Sequence, residues 1–418
     1  MSRSEKTRFL EVVAIVALLV MGAFNFSQKN TTDFMKPTQE PRYHGEFGLY
    51  VTKVGKKVNV HWINQTESPG TFEVSFNGKS ILNKELKTSR THAVEFSYDE
   101  EGEYSIKFGS KDNTSDQQET TLYLLDEVPR APFDVKNVDK VFAIGDTHGY
   151  YDHLRQLLIA NKIMDDDQNW IAGDSHLVFV GDLYDRGHDV TKNLWMIYQL
   201  EHQAKEAGGA IHIVLGNHEI MTFTNDLRYV SPKENSTAAA HGVTYREMYD
   251  LNESLLGQWL ASKPSLLRID RLLFAHGGMI MNYGDFSLNA INDSIYAFMQ
   301  ESEFPHLRDK PVDSTQFDMK RFDERLGFFY GEFAPYWYRG YVQSKETTNE
   351  LNLILNKFDS RIHIVGHTSQ ETITQYHRGK LIATDLNEKA TEMLLLTKKG
   401  KKKYNRYKLD SEGNQSKL

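Results

Sequence analysis

The chain of 418 residues contains no cysteine. Disulfide bridges, thiolate zinc sites and catalysis by a cysteine nucleophile are therefore excluded, while an oxidising compartment stays permitted. An excess of positive charge is also missing: 49 Lys and Arg stand against 57 Asp and Glu, a formal net charge of -8. Affinity for a polyanion rests on cationic contacts, so this balance argues against a dedicated nucleic-acid binder. The length exceeds one typical core, and at least two domains are expected.

A long apolar run stands at the amino terminus, where residues 12–26 follow a leader carrying Arg3, Lys6 and Arg8 against Glu5. The run is short for a spanning helix and long for a signal-peptide core. It reads as an export signal. No clean small-x-small cleavage site follows, so residues 1–27 are expected to remain as a membrane anchor. The positive-inside rule then places the remainder on the periplasmic or extracellular side. Residues 28–43 hold Pro37 and Pro41, show no periodicity and read as a tether.

Residues 44–128 carry short alternating runs at 47–51, 58–62, 72–76, 93–96, 104–108 and 121–125. Turn signals separate them at Gly55, residues 64–70, Asn77-Gly78, Gly102 and residues 111–116. Strands spaced this way predict an all-β, antiparallel sandwich of immunoglobulin or fibronectin type, with Trp62 in its core. It offers no catalytic chemistry and reads as a spacer, a recognition surface or packing. Pro129-Arg130-Ala131-Pro132 marks its end.

Beyond that boundary the pattern becomes α/β. Buried-strand runs end in Asp146-Thr147-His148-Gly149, in Asp182-Leu183-Tyr184-Asp185-Arg186-Gly187, in Asn217-His218-Glu219, in His276-Gly277-Gly278 and in His367-Thr368. Helical spacing over 151–162, with Asp152 as a possible cap, and over 190–207 follows the first two strands. Open α/β folds place ligands at the carboxyl ends of their strands. Asp, Asn and His delivered there five times over predict a metal site. Asp165-Asp166-Asp167 cannot all face one ion and reads as a solvated turn. His241, beside Gly242, comes nearest to a site among the remaining histidines, which read as structural or surface residues.

These five blocks, in this order across about half the chain, resemble the metal-dependent phosphoprotein phosphatases of the calcineurin-like metallophosphoesterase superfamily. The aromatic stretch Ala334-Pro335-Tyr336-Trp337-Tyr338-Arg339-Gly340-Tyr341 resembles the bacterial Shewanella-like branch, which includes cold-active protein tyrosine phosphatases. The resemblance implies two central β-sheets flanked by helices over residues 136–398. It implies two divalent cations, one held by Asp146, His148 and Asp182, the other by Asp182, Asn217, His276 and His367. Ligands of this mixed kind suit manganese, iron or zinc. Such a pair lowers the pKa of a shared water, so that hydroxide attacks phosphorus in line. By the same resemblance His218 is the general acid, Asp185 fixes its tautomer, and Arg186, Arg339 and Asn217 bind the phosphate.

The expected substrate is a phosphotyrosyl or phosphoseryl/threonyl protein; a small phosphomonoester or a nucleotide is the alternative. A third reading is an inactive envelope-bound binding protein with a structural metal site, although such a site needs none of Asp185, Arg186 and His218. The aromatic residues between 322 and 341 read equally as a wall for a phosphotyrosine ring or as core. Asp385 reads as a turn residue, or as support for a metal ligand. Residues 399–418, with Lys399, Lys401, Lys402 and Lys403, read as a solvated basic tail.

Overall fold

The computed structural model describes residues 48–113, 116–302, 304–307, 329–387, 389–400 and 403–418. The expected anchor and tether, and residues 322–328 of the aromatic stretch, lie outside them. Among the described residues no helix is long and apolar enough to cross a membrane.

The chain packs as two units. One holds the strands before Pro129 together with Val230–Ser262. Its strands β1 (Tyr50–Val54), β2 (Lys57–Phe76), β3 (Lys79–Ser97), β4 (Gly102–Ser110) and β5 (Gln118–Leu124) form one antiparallel sheet. The expected runs 58–62 and 72–76 are thus two halves of β2, and the turn expected at 64–70 is a bend within it. Ten residues of straight strand would span about 33 Å. The rings of Trp62 and Phe72 nevertheless stack 5.6 Å apart. β2 folds over where its register against β3 shifts, between Ile63 and Ser68 and between Ser68 and Gly70, with Gln65, Thr66 and Glu67 left in solvent. Trp62 is buried, as expected, and donates from Nε1 to Asn64 Oδ1 at 3.1 Å.

The same unit takes in three helices, Pro232–Ala240, Tyr245–Met248 and Leu255–Ala261, that their place in the sequence would assign to the catalytic domain. The reason is β1, whose outer edge needs partners. Lys53 N–H donates to Glu253 O at 2.7 Å, Gln258 Nε2 donates to Lys53 O at 2.8 Å, and Thr52 bridges to Ser254. His241 belongs here, packed against His61 and Tyr50.

The other unit comprises Arg130–Tyr229 and Lys263–Leu418. Its strands are β6 (Asp134–Val135), β7 (Lys140–Ile144), β8 (His176–Phe179), β9 (Ala210–Ile213), β10 (Leu266–Ile269), β11 (Leu272–Ala275), β12 (Ile362–Val365), β13 (Thr374–Tyr376), β14 (Leu381–Ala383), β15 (Glu392–Lys399), β16 (Lys403–Asp410) and β17 (Gln415–Lys417). They make two six-stranded sheets, β17-β16-β15-β7-β8-β9 and β13-β14-β12-β11-β10-β6. Val141, Ala143, Val178, Val180 and Val214 from the first pack with Phe274, Ile364 and Ile382 from the second in one core. Each of these side chains but that of Ala143 contributes about 1.5–3 kcal/mol by leaving water. β7, β8 and β9 run parallel, as do β11, β12 and β14, so their carboxyl ends gather along the same sides of the two sheets.

Helices α1 (Tyr151–Ala160) and α2 (Val190–Glu206) connect the first strands close to where periodicity places them. Asp152 lies in the first turn of α1 and is not its cap, since Tyr150 occupies that position. The expected basic tail is instead structure. β15 pairs antiparallel with β7, and β16 and β17 extend the sheet. Within the tail Leu409 is buried, and Arg406 and Lys408 bond to Gln375 and Thr372, so the segment is ordered despite its lysines.

Candidate metal centre

The strand ends converge because the backbone turns sharply after each strand. His148, Asp182, Asp185, Arg186 and His367 all hold left-handed backbone angles, with φ of 45°, 56°, 70°, 63° and 62°. Each such residue costs on the order of 1–3 kcal/mol and persists only where its surroundings demand it. Gly181 makes the crossing possible. At φ 90° it lies so close to the next loop that a Cβ would stand 2.8 Å from Gly216 Cα.

One side chain ties two of these loops together. Buried Glu219 accepts N–H bonds from Asp182 at 2.9 Å, Leu183 at 2.7 Å, Tyr184 at 3.4 Å and Gly216 at 2.6 Å. In the sequence it is the last residue of a motif, without a role. Asn217 and His218, expected on an extended strand end, instead open helix α3 (Asn217–Phe223), which Glu219 stabilises by bonding back to Gly216. The two side chains still diverge, because successive helix positions point about 100° apart.

Around Asp182 the donors gather. Its Oδ2 lies 3.1 Å from His276 Nε2, 3.8 Å from His148 Nε2 and 3.8 Å from His218 Nε2. His148 Nε2 is 3.9 Å from Asp146 Oδ2, and Asn217 Oδ1 is 2.9 Å from His276 Nε2. His148 Nδ1 donates to Tyr184 O and His276 Nδ1 to Val180 O, both at 2.7 Å. Each Nδ1 bond fixes its ring with Nε2 toward the carboxylates, the orientation of a metal-ligating histidine. His367 places its backbone N–H 3.1 Å from Asp146 Oδ1, while its Nε2 is buried with no hydrogen-bond partner among the described residues. Two donor groups share Asp182: His148 with His218, and His276 with His367.

These residues fit cations. Burial and the Asp385 charge raise Asp146 well above the usual carboxylate range, and burial pushes His148 down to about 3. Burial and the charge on His276 drive His367 far below its ordinary value. Against burial, the Asp182 and Asp146 carboxylates push His276 up to about 10. Buried carboxylates and imidazoles this close together cannot all keep their ordinary protonation, and divalent cations suit such a donor set.

His218 differs. Its Nδ1 lies 2.6 Å from Asp185 Oδ2, and Arg186 Nη2 lies 3.4 Å from its Nε2. Although burial opposes it, the Asp182 and Asp185 charges raise His218, while burial raises Asp185 despite His218. Both directions keep a proton in the pair, as suits an acid. Arg339 reaches the other flank, where its Nη1 donates to His367 O and its charge faces Asp146 and Asp385.

The structure thus assembles all of the expected residues: Asp146, His148, Asp182, Asp185, Arg186, Asn217, His218, His276, Arg339 and His367. Asp385 is not a surface turn residue. It is buried after β14, accepts from Ser369 Oγ at 2.8 Å and acts on Asp146 by charge. Of the aromatic stretch, Phe329, Tyr336, Tyr338 and Tyr341 are core, and Trp337 meets the His367 ring edge-on at 5.6 Å. Tyr229, to which no sequence motif points, lies against His218 with ring centres 5.3 Å apart.

Residues 139–371 match the family of calcineurin-like phosphoesterases, and the chain belongs to that family. It is a metal-dependent phosphatase. It is similar to Shewanella-like protein phosphatase 1 of Plasmodium berghei, 27% identical over 280 residues, covering 65% of this chain and 72% of the relative. It is also similar to the crystal structure of a cold-active protein-tyrosine phosphatase of a psychrophilic Shewanella, with 29% identity, a TM-score of 0.68, and coverage of 90% of this chain and 99% of that one. A symmetrical bis(5'-nucleosyl)-tetraphosphatase of Hamiltonella defensa is 26% identical over 180 residues, 42% of this chain and 57% of the relative.

Proposed function

We propose that this chain hydrolyses phosphomonoesters on proteins, phosphotyrosine first, with a pair of divalent cations. Asp146, His148 and Asp182 hold one cation, and Asp182, Asn217, His276 and His367 hold the other. The observation that carries this reading is Asp182, one carboxylate belonging to both donor groups. When bound, two such cations acidify a water and draw charge from the phosphate. Arg186, beside His218, and Arg339, beside His367, take the non-bridging phosphate oxygens as planar forks, and the Asn217 amide adds a donor. His218 gives a proton to the leaving oxygen from Nε2 while Asp185 holds Nδ1. The likeness to protein phosphatases supports a protein substrate.

The likeness to a tetraphosphatase favours a second reading, hydrolysis of a nucleoside polyphosphate. Rates on phosphotyrosyl and phosphoseryl peptides, para-nitrophenyl phosphate and a dinucleoside tetraphosphate decide between them. Turnover confined to the nucleotide rejects the protein-phosphatase reading. No turnover with any metal supports a binding protein.

We also propose that residues 12–26 anchor the chain with the catalytic unit outside the cytoplasm. Release of the full chain from membranes by alkaline carbonate would reject the anchor.

A further inference from the structure

Among the described residues six large apolar side chains stand in solvent, and Tyr229, 46% exposed, is the aromatic one of them. Its position is built. The Tyr229 carbonyl accepts the Arg186 N–H at 2.9 Å, and the Arg186 guanidinium lies 5.8 Å from the ring centre. Arg228, itself bonded to Asp226 Oδ2 at 2.8 Å, lies 5.5 Å from the same centre. Two cations over one ring restrict where that ring can go. The ring meanwhile lies 5.3 Å from the imidazole of His218, tilted by 48°.

We infer that Tyr229 is a specificity-determining residue that selects aryl over alkyl leaving groups. The inference rests on the function proposed above and names the group that sets its substrate preference. With phosphate oxygens on Arg186 and the leaving oxygen at His218 Nε2, whatever is bonded to that oxygen lies among the rings beside His218. Of these, His148 is buried and Tyr229 is exposed. A phenyl group there meets the tyrosine ring in an offset or edge-to-face contact, whereas the single methylene of phosphoserine presents little surface to it. Trp337 lies by His367 and is core-anchored through Nε1 to Phe329 O at 2.9 Å, so it flanks the metal ligands and not the acid.

The test compares wild-type, Tyr229→Ala and Tyr229→Phe chains on phosphotyrosyl and phosphoseryl peptides of one sequence, with manganese supplied. Tyr229→Ala is expected to lower the ratio of kcat/KM, phosphotyrosyl over phosphoseryl, about five- to tenfold, the worth of one aromatic contact. Tyr229→Phe is expected to keep the ratio within about twofold, because the ring and not the hydroxyl makes the contact. An Ala variant that slows both peptides equally, or neither, overturns the inference and leaves the phosphatase reading standing. A wild-type chain that hydrolyses neither peptide overturns that reading, and the inference with it.

Discussion

Asp185 Oδ2 lies 2.6 Å from Nδ1 of His218, and both groups are buried. The second oxygen of Asp185 has no hydrogen-bond partner among the described residues. A buried carboxylate aimed at one imidazole nitrogen fixes which nitrogen carries the mobile proton. His218→Ala is therefore expected to lower kcat by about a hundredfold to ten-thousandfold, the usual worth of a general acid. Metal content should stay normal, since the ring is a proton carrier. Asp185→Asn keeps the volume and should cost about tenfold to a hundredfold, as loss of an orienting partner does. Elemental analysis beside the kinetics decides the matter: a His218→Ala chain that has shed metal makes His218 a ligand.

The two arginines reach the site from different loops, Arg186 after β8 and Arg339 from the loop between residues 331 and 347. Each is expected to supply about 2–4 kcal/mol of transition-state stabilisation. Arg186→Lys and Arg339→Lys keep the charge and lose the fork, so a large part of that figure should still be missing from kcat/KM. Inhibition by inorganic phosphate should weaken in parallel. Loss confined to Arg186 would leave Arg339 as a brace for His367, whose carbonyl it already bonds.

Much of this site is legible in the amino-acid sequence, for a physical reason. Strands buried on both faces read as continuous apolar runs, and the polar residue ending each run has few reasons to be there except chemistry. The conformation of those ends is not legible. Nothing in the letters says that Asp182 or His367 adopts a left-handed backbone, since that follows from the approach of other loops. Glu219 is visible as a residue and invisible as the acceptor of four N–H groups, because three of its partners lie some 35 positions away. The helices within Val230–Ser262 escape correct assignment because connectivity favours the nearer domain, while the packing that decides lies on β1. The basic tail misleads through composition. Leu409 is the one aliphatic residue that β16 buries, too weak a strand signal among so many charged neighbours.

Asp182 stands in both donor groups and His367 in one. Metal stoichiometry should show that difference. Reconstituted with manganese and dialysed, the wild type is expected to hold two ions per chain, His367→Ala about one, and Asp182→Asn close to none. Removal of the ions by chelation should abolish turnover in the wild type and allow recovery when manganese returns. Equal metal loss in the two variants would mean that the ligand sets are not divided as proposed.

His363 offers a pH effect that stands apart from the site chemistry. It is fully buried on β12, where Nδ1 donates to Leu273 O at 3.0 Å and Nε2 accepts the Met279 N–H at 3.1 Å. Both nitrogens are committed to the neutral form, and burial lowers the pKa to about 4 against an ordinary 6.5. Below pH 6.5 the unfolded chain takes up this proton and the folded chain does not. Stability from His363 is therefore present above pH 6.5, falls as pH drops from 6.5 toward 4, and levels off below that. The full difference is on the order of 3 kcal/mol. Urea midpoints of the metal-free protein between pH 7.5 and 4 measure it. His363→Gln is expected to be less stable at neutral pH and to show a shallower fall, since its side chain cannot be protonated. Parallel curves for the two proteins would assign the acid sensitivity to other buried histidines, such as His212, which burial holds at about 3.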